Sequence, residues 1–289
     1  MTDATHRTVV IVVNWNCADD TVSCLSALTS RWDTLVVDNG SEMPGETRKI
    51  RTFLPQTHLI ELDLNRGYGG GMNEGMRWAL GNGYSHALLL NPDTVPTREL
   101  VQRMDELSRD FKLVGVRQAH FLDARSAPIE YASAAMLTRA KPKPAPIPSN
   151  AASTEVDIVT GAAILVDLQA AKDVDFFDED YFHYKEEFDL AYKMHETVGR
   201  AIMATDQILL HRRGGSLPIN SAHAVYYHFR NEMLFLRKHF SPWEWLRMPG
   251  LFRNGIREFL GGTAGVKRAV VYGFADGLMG RKGPSQRDF

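Results

Sequence analysis

In HALLLNPDTVP, residues 86–96, an apolar run from Ala87 to Leu90 stops at Asn91-Pro92-Asp93. The run has the length and content of a buried strand. Proline has no N–H for a sheet ladder, so the strand should end there. A single carboxylate, Asp93, is left at the carboxyl end of a buried strand, the edge at which open α/β sheets bind ligands. The flanking sequence fits such a sheet. TVVIVVN (8–14), DTLVVDNGS (33–41) and THLIELDLN (57–65) read as further strands. The β-branched first run suits a strand covered on both faces. Between them, DDTVSCLSALTS (19–30) carries Val22, Leu25 and Leu28 on one helical face. MNEGMRWALGNG (72–83) reads as a helix closed by glycine, and TRELVQRMDELSRD (97–110) as an amphipathic helix. Alternating strands and helices predict a largely parallel, doubly covered sheet.

Composition narrows the class. A chain of 289 residues with 44% hydrophobic and 24% charged residues is ordinary globular protein. A formal net charge of −2 gives no overall case for binding nucleic acid. The spacing of the two cysteines, Cys17 and Cys24, fits neither a zinc site nor a redox pair, so both are expected as reduced thiols. Residues 1–8 are polar, Val9–Val13 is too short for a signal core, and no stretch is apolar enough to span a bilayer. The expectation is a soluble cytoplasmic protein.

Beyond residue 138 the composition shifts. RAKPKPAPIPSNAAS (139–153) reads as a surface loop, either a tolerated insertion or a flap near a site. VDIVTGAAILVD (156–167) resumes strand character, DEDYFHYKEEFDLAYKMHETVG (178–199) carries carboxylates into a helix, and AIMATDQILLHRRGGS (201–216) is a strand running into a basic turn. The remainder is helical and basic, with Arg237, Lys238, Arg247, Arg253, Arg257, Lys267 and Arg268 interleaved with Trp243, Trp245, Leu251 and Phe252. Such helices suit an anionic membrane surface, a homodimer contact or packing on the main domain. The predicted organisation is residues 1–240 as the main α/β domain and 241–289 as a helical extension.

Four places carry candidate chemistry. Asp38, ending the second strand, can accept from the imino N–H of uracil or thymine or from guanine, or simply start a turn. NRGYGGGMNEG (65–75) lacks the Gly-Lys-Ser/Thr of a Walker loop, and Met72 stands where the third glycine of a dinucleotide fingerprint belongs. It allows either a close backbone approach to a ligand at a helix start or a plain tight turn. Asp93 with Asn91 resembles a shortened Asp-X-Asp motif able to share a hard divalent cation with a diphosphate, with His211 as a further ligand or a structural imidazole. Glu186, Glu187 and Asp189 open a helix, where the dipole favours acids. Their mutual repulsion can also raise a pKa, which suits a general base.

The order of VVIVVNWN, LVVDNGS, LNRGYGGGMNEGM, LLLNPD, VDIVTGAAILV, FFDEDYFHYKEEFDL, LLHRRGGS and YYHFRNEMLFLRKHF, over roughly residues 8–240, resembles the inverting glycosyltransferases of family 2. The likeness is to the rhamnosyltransferase-like branch. It implies a glycosyltransferase-A fold, a mixed, largely parallel sheet flanked by helices. It implies that Asn14, Asn16 and Asp38 line a nucleoside pocket and that Asn65, Gly67 and Asn73 shape the donor side. Asn91-Pro92-Asp93 takes the place of the Asp-X-Asp motif, with Asp93 and His211 holding Mg²⁺ or Mn²⁺. Thr160 and Gly161 fall where donor sugar and acceptor meet, Glu187 where the base stands, and Glu186 and Asp189 beside the acceptor.

Two departures stand out. Asn91 removes one carboxylate from the metal motif. Glu186-Glu187 replaces a Glu-Asp pair and lengthens the reach of the base by about 1.5 Å, one carbon–carbon bond.

The resemblance implies an inverting hexosyltransferase-type enzyme. Its donor would be a dTDP-, UDP- or GDP-sugar, with rhamnose or another deoxysugar as a candidate. Its acceptor would be a glycan, a lipid-linked glycan, a natural product or a peptide. Arg212 or Arg213 would help neutralise the departing diphosphate. The location implied is cytoplasmic, with peripheral contact at the inner membrane face an option. The rival readings are a metal-dependent nucleotidyltransferase and a non-catalytic sugar-nucleotide or carbohydrate-binding protein. The missing basic triphosphate loop argues against the first and the acidic cluster against the second.

Overall fold

A computed structural model describes residues 6–121, 127–137, 142–148, 150–212, 221–245 and 249–289. The first half alternates strand and helix as expected: β1 (Thr8–Asn14), α1 (Ala18–Ser26), β2 (Asp33–Asn39), α2 (Glu46–Phe53), β3 (His58–Leu62), α3 (Gly67–Gly81), β4 (His86–Leu90), β5 (Thr94–Val95) and α4 (Arg98–Leu107). Then follow β6 (Leu113–Phe121), β7 (Ile129–Tyr131), β8 (Ala134–Met136), β9 (Lys143–Pro144), β10 (Ser153–Val156), β11 (Ile158–Val159), β12 (Ala163–Asp167) and α5 (Leu168–Asp173). The chain closes with α6 (Glu186–Val198), β13 (Ala201–Arg212), α7 (Ala222–His239), α8 (Pro242–Trp245), α9 (Pro249–Gly261) and α10 (Ala264–Leu278).

The main sheet runs β10-β13-β6-β12-β4-β1-β2-β3, with β5 on β13 and β7 on β6. Its β4-β1-β2-β3 part is parallel, and β12 enters antiparallel between β4 and β6. This is the mixed sheet with flanking helices and C-terminal helices that the sequence predicts. Both faces of β1 and β4 are covered, which is why their side chains read as continuous apolar runs. Val9, Ile11 and Val13 pack with Met72 and Met76 of α3 on one face; Val10 and Val12 pack with Leu25 and Leu28 on the other.

The glycine stretch opens a helix. Gly67–Gly71 lie inside the first turns of α3. A Cβ on Gly71 would stand 2.9 Å from the Val13 methyls, and one on Gly75 2.6 Å from Ile11. The missing side chains at these two positions let α3 press onto β1. At the other end of the fold, α10 lies against α7: a Cβ on Gly277 would meet the Arg230 carbonyl at 2.6 Å, and one on Gly273 the Tyr226 carbonyl at 2.8 Å. Part of the 139–153 stretch, read as a loop or flap, lies outside the described residues; Lys143–Pro144 forms the short strand β9.

Candidate active site

β4 ends at Leu90, as Pro92 dictates, and the next residues turn into β5. The Asn91 backbone N–H donates to the Ala162 carbonyl at 2.9 Å, and the Asp93 carbonyl accepts from the Arg212 N–H at 2.8 Å. These bonds place Asp93 beside the end of β13. Its Oδ1 lies 3.1 Å from His211 Nε2. Residues 118 positions apart therefore meet at one end of the sheet. The Asn91 Oδ1 is buried without a hydrogen-bond partner. Among the described residues no group of three or more His, Cys, Asp or Glu side chains gathers as a metal cage. The donor set is thus one carboxylate and one imidazole. It fits a hard cation that takes its other ligands from a diphosphate and water, the usual habit of Mg²⁺. Arg212 is engaged by the Asp20 carboxylate; Arg213 lies outside the described residues.

Asn14 and Asp38 face each other across the β1/β2 register. Asn14 Nδ2 donates to Asp38 Oδ1 at 2.8 Å, and Ser41 Oγ donates to the same oxygen at 2.6 Å. Asn16 adopts a positive φ of 55° and accepts the Glu42 and Met43 N–H groups on its Oδ1 at 2.8 and 2.9 Å. These bonds shape a polar cleft of about 270 Å³ lined by Asp38, Ser41, Met43, Glu46, Thr47 and Asp63. Asn65 and Asn73 are spent on the protein itself. Asn65 Oδ1 accepts from Asn39 Nδ2 and the Gly67 N–H. Asn73 is buried and ties α3 to the segment before α6, donating to the Phe177 carbonyl at 2.9 Å and accepting the Phe177 N–H at 3.0 Å. Gly67, at φ 75°, admits the Phe182 carbonyl where a Cβ would stand 2.2 Å away.

That segment carries the acids. Phe182, Tyr184 and Lys185 all have positive φ (62°, 67° and 82°), an unfavourable backbone for side chains of this size. Two buried residues of α7, absent from the sequence reading, hold it. Asn231 Nδ2 lies 3.0, 2.7 and 2.7 Å from the carbonyls of Tyr181, His183 and Tyr184. Arg230 donates through Nη2 to the Tyr181 carbonyl at 2.6 Å and through Nε to Asn231 Oδ1 at 2.8 Å. The adjacent Arg-Asn in the quoted YYHFRNEMLFLRKHF was the available signal, since a fully buried arginine must find several acceptors.

Held this way, α6 opens on Glu186 and Glu187. Glu186 is buried, with Oε2 lacking a hydrogen-bond partner; burial, then the charge of Glu187, pushes its carboxyl well above the usual range. Glu187 is partly exposed and lines a cleft of about 550 Å³ with Thr160, Lys185, Phe188, Phe229 and Arg257. Its carboxyl is also raised. Burial is the cause, and its own helix-start N–H and the charge of His211 oppose it. Tyr68 stands among the same groups; burial, and then Glu187, Glu186 and Asp93, hold its phenol protonated.

Asp189 departs from the expected role. It is fully buried, bonded to Tyr181 Oη at 3.0 Å and His239 Nε2 at 2.6 Å, with Lys193 Nζ at 3.3 Å. Burial alone would raise its carboxyl, but the His239 bond and the Lys193 charge hold it below the usual range. It anchors α6 to α7 and does not supply the like-charge repulsion expected to tune Glu187. Thr160 lines the same cleft as Glu187. Gly161, at φ 105°, leaves room for the Gln118 amide, whose nearest atoms a Cβ would approach to 2.5 Å.

Residues 9–170 match the sequence model described as Glycosyl transferase family 2, and the chain belongs to that family. Among known proteins, the low-salt glycan biosynthesis hexosyltransferase Agl10 of Haloferax volcanii is 23% identical over 239 residues, which span 80% of this chain and 76% of Agl10. The fold is shared with S. aureus TarS 1-349 in complex with UDP-GlcNAc, at a TM-score of 0.61 and 14% identity over 95% of this chain and 81% of that one. It is shared too with GalNAc-T7 bound to UDP, GalNAc and Mn²⁺, at a TM-score of 0.62 and 11% identity. That match takes in 80% of this chain but 48% of GalNAc-T7, so this chain spans about half the length of that relative. The protein is therefore a family-2 glycosyltransferase with the glycosyltransferase-A fold.

Proposed function

We propose that this enzyme transfers a sugar from a nucleoside diphosphate to an acceptor hydroxyl in one inverting displacement, with Glu187 as the base. The observation that carries the reading is the convergence of Glu187 with the Asp93–His211 pair. Asp93 lies 3.1 Å from the His211 imidazole, Glu187 and Thr160 line one cleft, and the Thr160–Ala162 turn between them is bonded to the Asn91 backbone and to Gln118. A base and a diphosphate-binding corner stand side by side, the geometry an in-line displacement needs.

The nucleoside sits in the Asp38 cleft beside Asn14 and Asn16. UDP is the first nucleotide to test, because the GalNAc-T7 structure holds UDP and the TarS structure UDP-GlcNAc. dTDP-rhamnose and other deoxysugars follow from the rhamnosyltransferase-like motifs. Asp93 and His211 would hold Mg²⁺ or Mn²⁺, and such an ion stabilises charge developing on a diphosphate leaving group. Glu187 takes the acceptor proton as the hydroxyl attacks the anomeric carbon. Its raised pKa makes it a stronger base than a free carboxylate. Asn65, Gly67 and Asn73 act by fixing α3 against the Phe177–Phe182 segment. Glu186 backs Glu187 from the protein interior.

The acceptor enters the cleft between α6, α7 and α9, whose walls include Phe188, Phe229 and Arg257. Residues 1–240 form the catalytic part and 241–289 the extension that covers this entrance. The extension exposes Trp243, Ile256 and Leu260, which suits peripheral contact with the cytoplasmic membrane face and a lipid-linked acceptor; none of the helices in the described residues is long and apolar enough to cross a membrane.

A donor-hydrolysis screen tests the reading: UDP-, dTDP- and GDP-sugars with Mg²⁺ or Mn²⁺, scored for released nucleoside diphosphate. The expected result is release of nucleoside diphosphate from at least one donor, with turnover in the presence of an acceptor lower by about 10²- to 10⁴-fold in Glu187→Gln. Release of pyrophosphate from nucleoside triphosphates instead identifies a nucleotidyltransferase and overturns it.

A further inference from the structure

The hydrogen-bond pattern behind His211 has only one consistent polarity. Gln118, buried in β6, contacts two backbone groups of the Thr160–Ala162 turn. The Ala162 N–H can only donate, and it points at Gln118 Oε1 at 2.9 Å. The Thr160 carbonyl can only accept, and it faces Gln118 Nε2 at 3.0 Å. The backbone therefore fixes which end of the amide is oxygen. Tyr131, the cross-strand neighbour of Gln118, brings its hydroxyl to that same Oε1. An amide oxygen cannot donate, so the single hydroxyl hydrogen of Tyr131 is used there. The Tyr131 oxygen also lies 3.0 Å from His211 Nδ1. With its hydrogen committed, it can only accept.

From this polarity we infer that Gln118 and Tyr131 are positioning residues that keep a proton on His211 Nδ1 and turn Nε2 toward Asp93 as the ligand nitrogen. Three further features fit that purpose. Tyr131 is stacked on the His120 ring at 4.0 Å and 13°, which fixes the phenol plane. Gly161 supplies the room that the Gln118 amide occupies. The face of His211 opposite Tyr131 is the one 3.1 Å from Asp93 Oδ1. A histidine offers a metal only an unprotonated nitrogen, and an acceptor behind the other nitrogen selects which one that is. The chain runs from the turn at the donor–acceptor junction, through Gln118 and Tyr131, to His211. It thereby couples the shape of that turn to the ligand nitrogen. The inference rests on the metal reading for its purpose but not for its geometry.

Two measurements on the full-length protein separate those parts. The first is nitrogen NMR of ¹⁵N-histidine-labelled, metal-free protein at neutral pH, with His211 assigned by its loss in His211→Gln. Wild type is expected to show a protonated, pyrrole-type Nδ1. Gln118→Leu frees the Tyr131 hydrogen to donate to Nδ1, so that nitrogen should become pyridine-type, a reversal that loss of packing alone does not produce. Tyr131→Phe removes the acceptor without removing the ring, and should leave Nδ1 as a mixture of forms. A pyridine-type Nδ1 in the wild type, or an unchanged one in folded Gln118→Leu, overturns the inference. The second measurement is Mn²⁺ affinity by electron paramagnetic resonance in the presence of UDP. Tyr131→Phe is expected to weaken it about 10- to 100-fold, the usual effect of removing the group that orients a ligating histidine. Wild-type affinity in folded Tyr131→Phe overturns the positioning role. Absence of Mn²⁺ binding in the wild type defeats the metal reading instead, and the nitrogen signals still decide the polarity of the chain.

Discussion

Asn231 does not line the cleft, yet its replacement should slow the reaction. Its amide serves the carbonyls of Tyr181, His183 and Tyr184 and accepts from Arg230 Nε. Two hydrogens on Nδ2 satisfy about two of those carbonyls at a time. At about 1 kcal/mol net for each neutral bond and about 2 for the bond to the guanidinium, Asn231→Ala forfeits about 4 kcal/mol of stability. Part of that returns as the backbone relaxes. Phe182, Tyr184 and Lys185 leave positive φ, a conformation that costs of order 1–3 kcal/mol per residue. Relaxation moves the start of α6 and Glu187 with it. A displacement near 1 Å at a reacting group costs roughly 10²-fold in rate. The expected result is a kcat lower by about 10², with calorimetric UDP binding unchanged because the nucleoside cleft belongs to β1 and β2. Asn231→Asp sharpens the test. It keeps the size but points an oxygen at three carbonyls, so its kcat should fall at least as far. If both variants are folded, destabilised in thermal melts and still turn over at the wild-type rate, the loop does not position Glu187 and the reasoning fails.

Other outcomes follow from the same geometry. Glu187→Gln should lower turnover by about 10²- to 10⁴-fold, the usual contribution of a general base, with donor affinity retained; wild-type turnover in this variant removes Glu187 as the base. Because burial raises the Glu187 pKa, and the base works deprotonated, the rate should fall as pH drops through that raised value. The acid limb of a kcat–pH profile should therefore lie above the usual glutamate range, and a limb at or below it contradicts the assignment. Asp93→Ala should cost roughly 10²-fold or more, since a Lewis acid on a leaving diphosphate contributes several kcal/mol. His211→Ala should cost less, and full turnover in excess EDTA rules the metal out. The exposed Trp243, Ile256 and Leu260 predict co-sedimentation with anionic liposomes at low salt; a protein that stays in the supernatant has no such membrane contact.

Much of the fold was legible in one dimension because it rests on local rules. Val9–Val13 and Ala87–Leu90 are apolar without alternation, as strands covered on both faces must be, and Pro92 ended β4 where its missing N–H requires. The likeness to family motifs also located Asp93 and His211, which the fold brings to 3.1 Å. Glycine was ambiguous, because a residue without a side chain signals space but not what fills it. At Gly71 and Gly75 the occupant is β1. The three acids of α6 looked equivalent in sequence, whereas the fold separates them. Asp189 is tied up by Lys193 and His239, Glu186 is sealed inside, and Glu187 reaches the cleft. The partners that make those distinctions lie far along the chain: Lys193 and His239 for Asp189, Asn231 for the loop, Tyr131 and Gln118 for His211. Residue type and spacing determined which strands and helices form and which residues can carry charge. Only the tertiary structure decided which of those charges are quenched and which are left for a substrate, because burial and hydrogen-bond partnership are properties of neighbours in space.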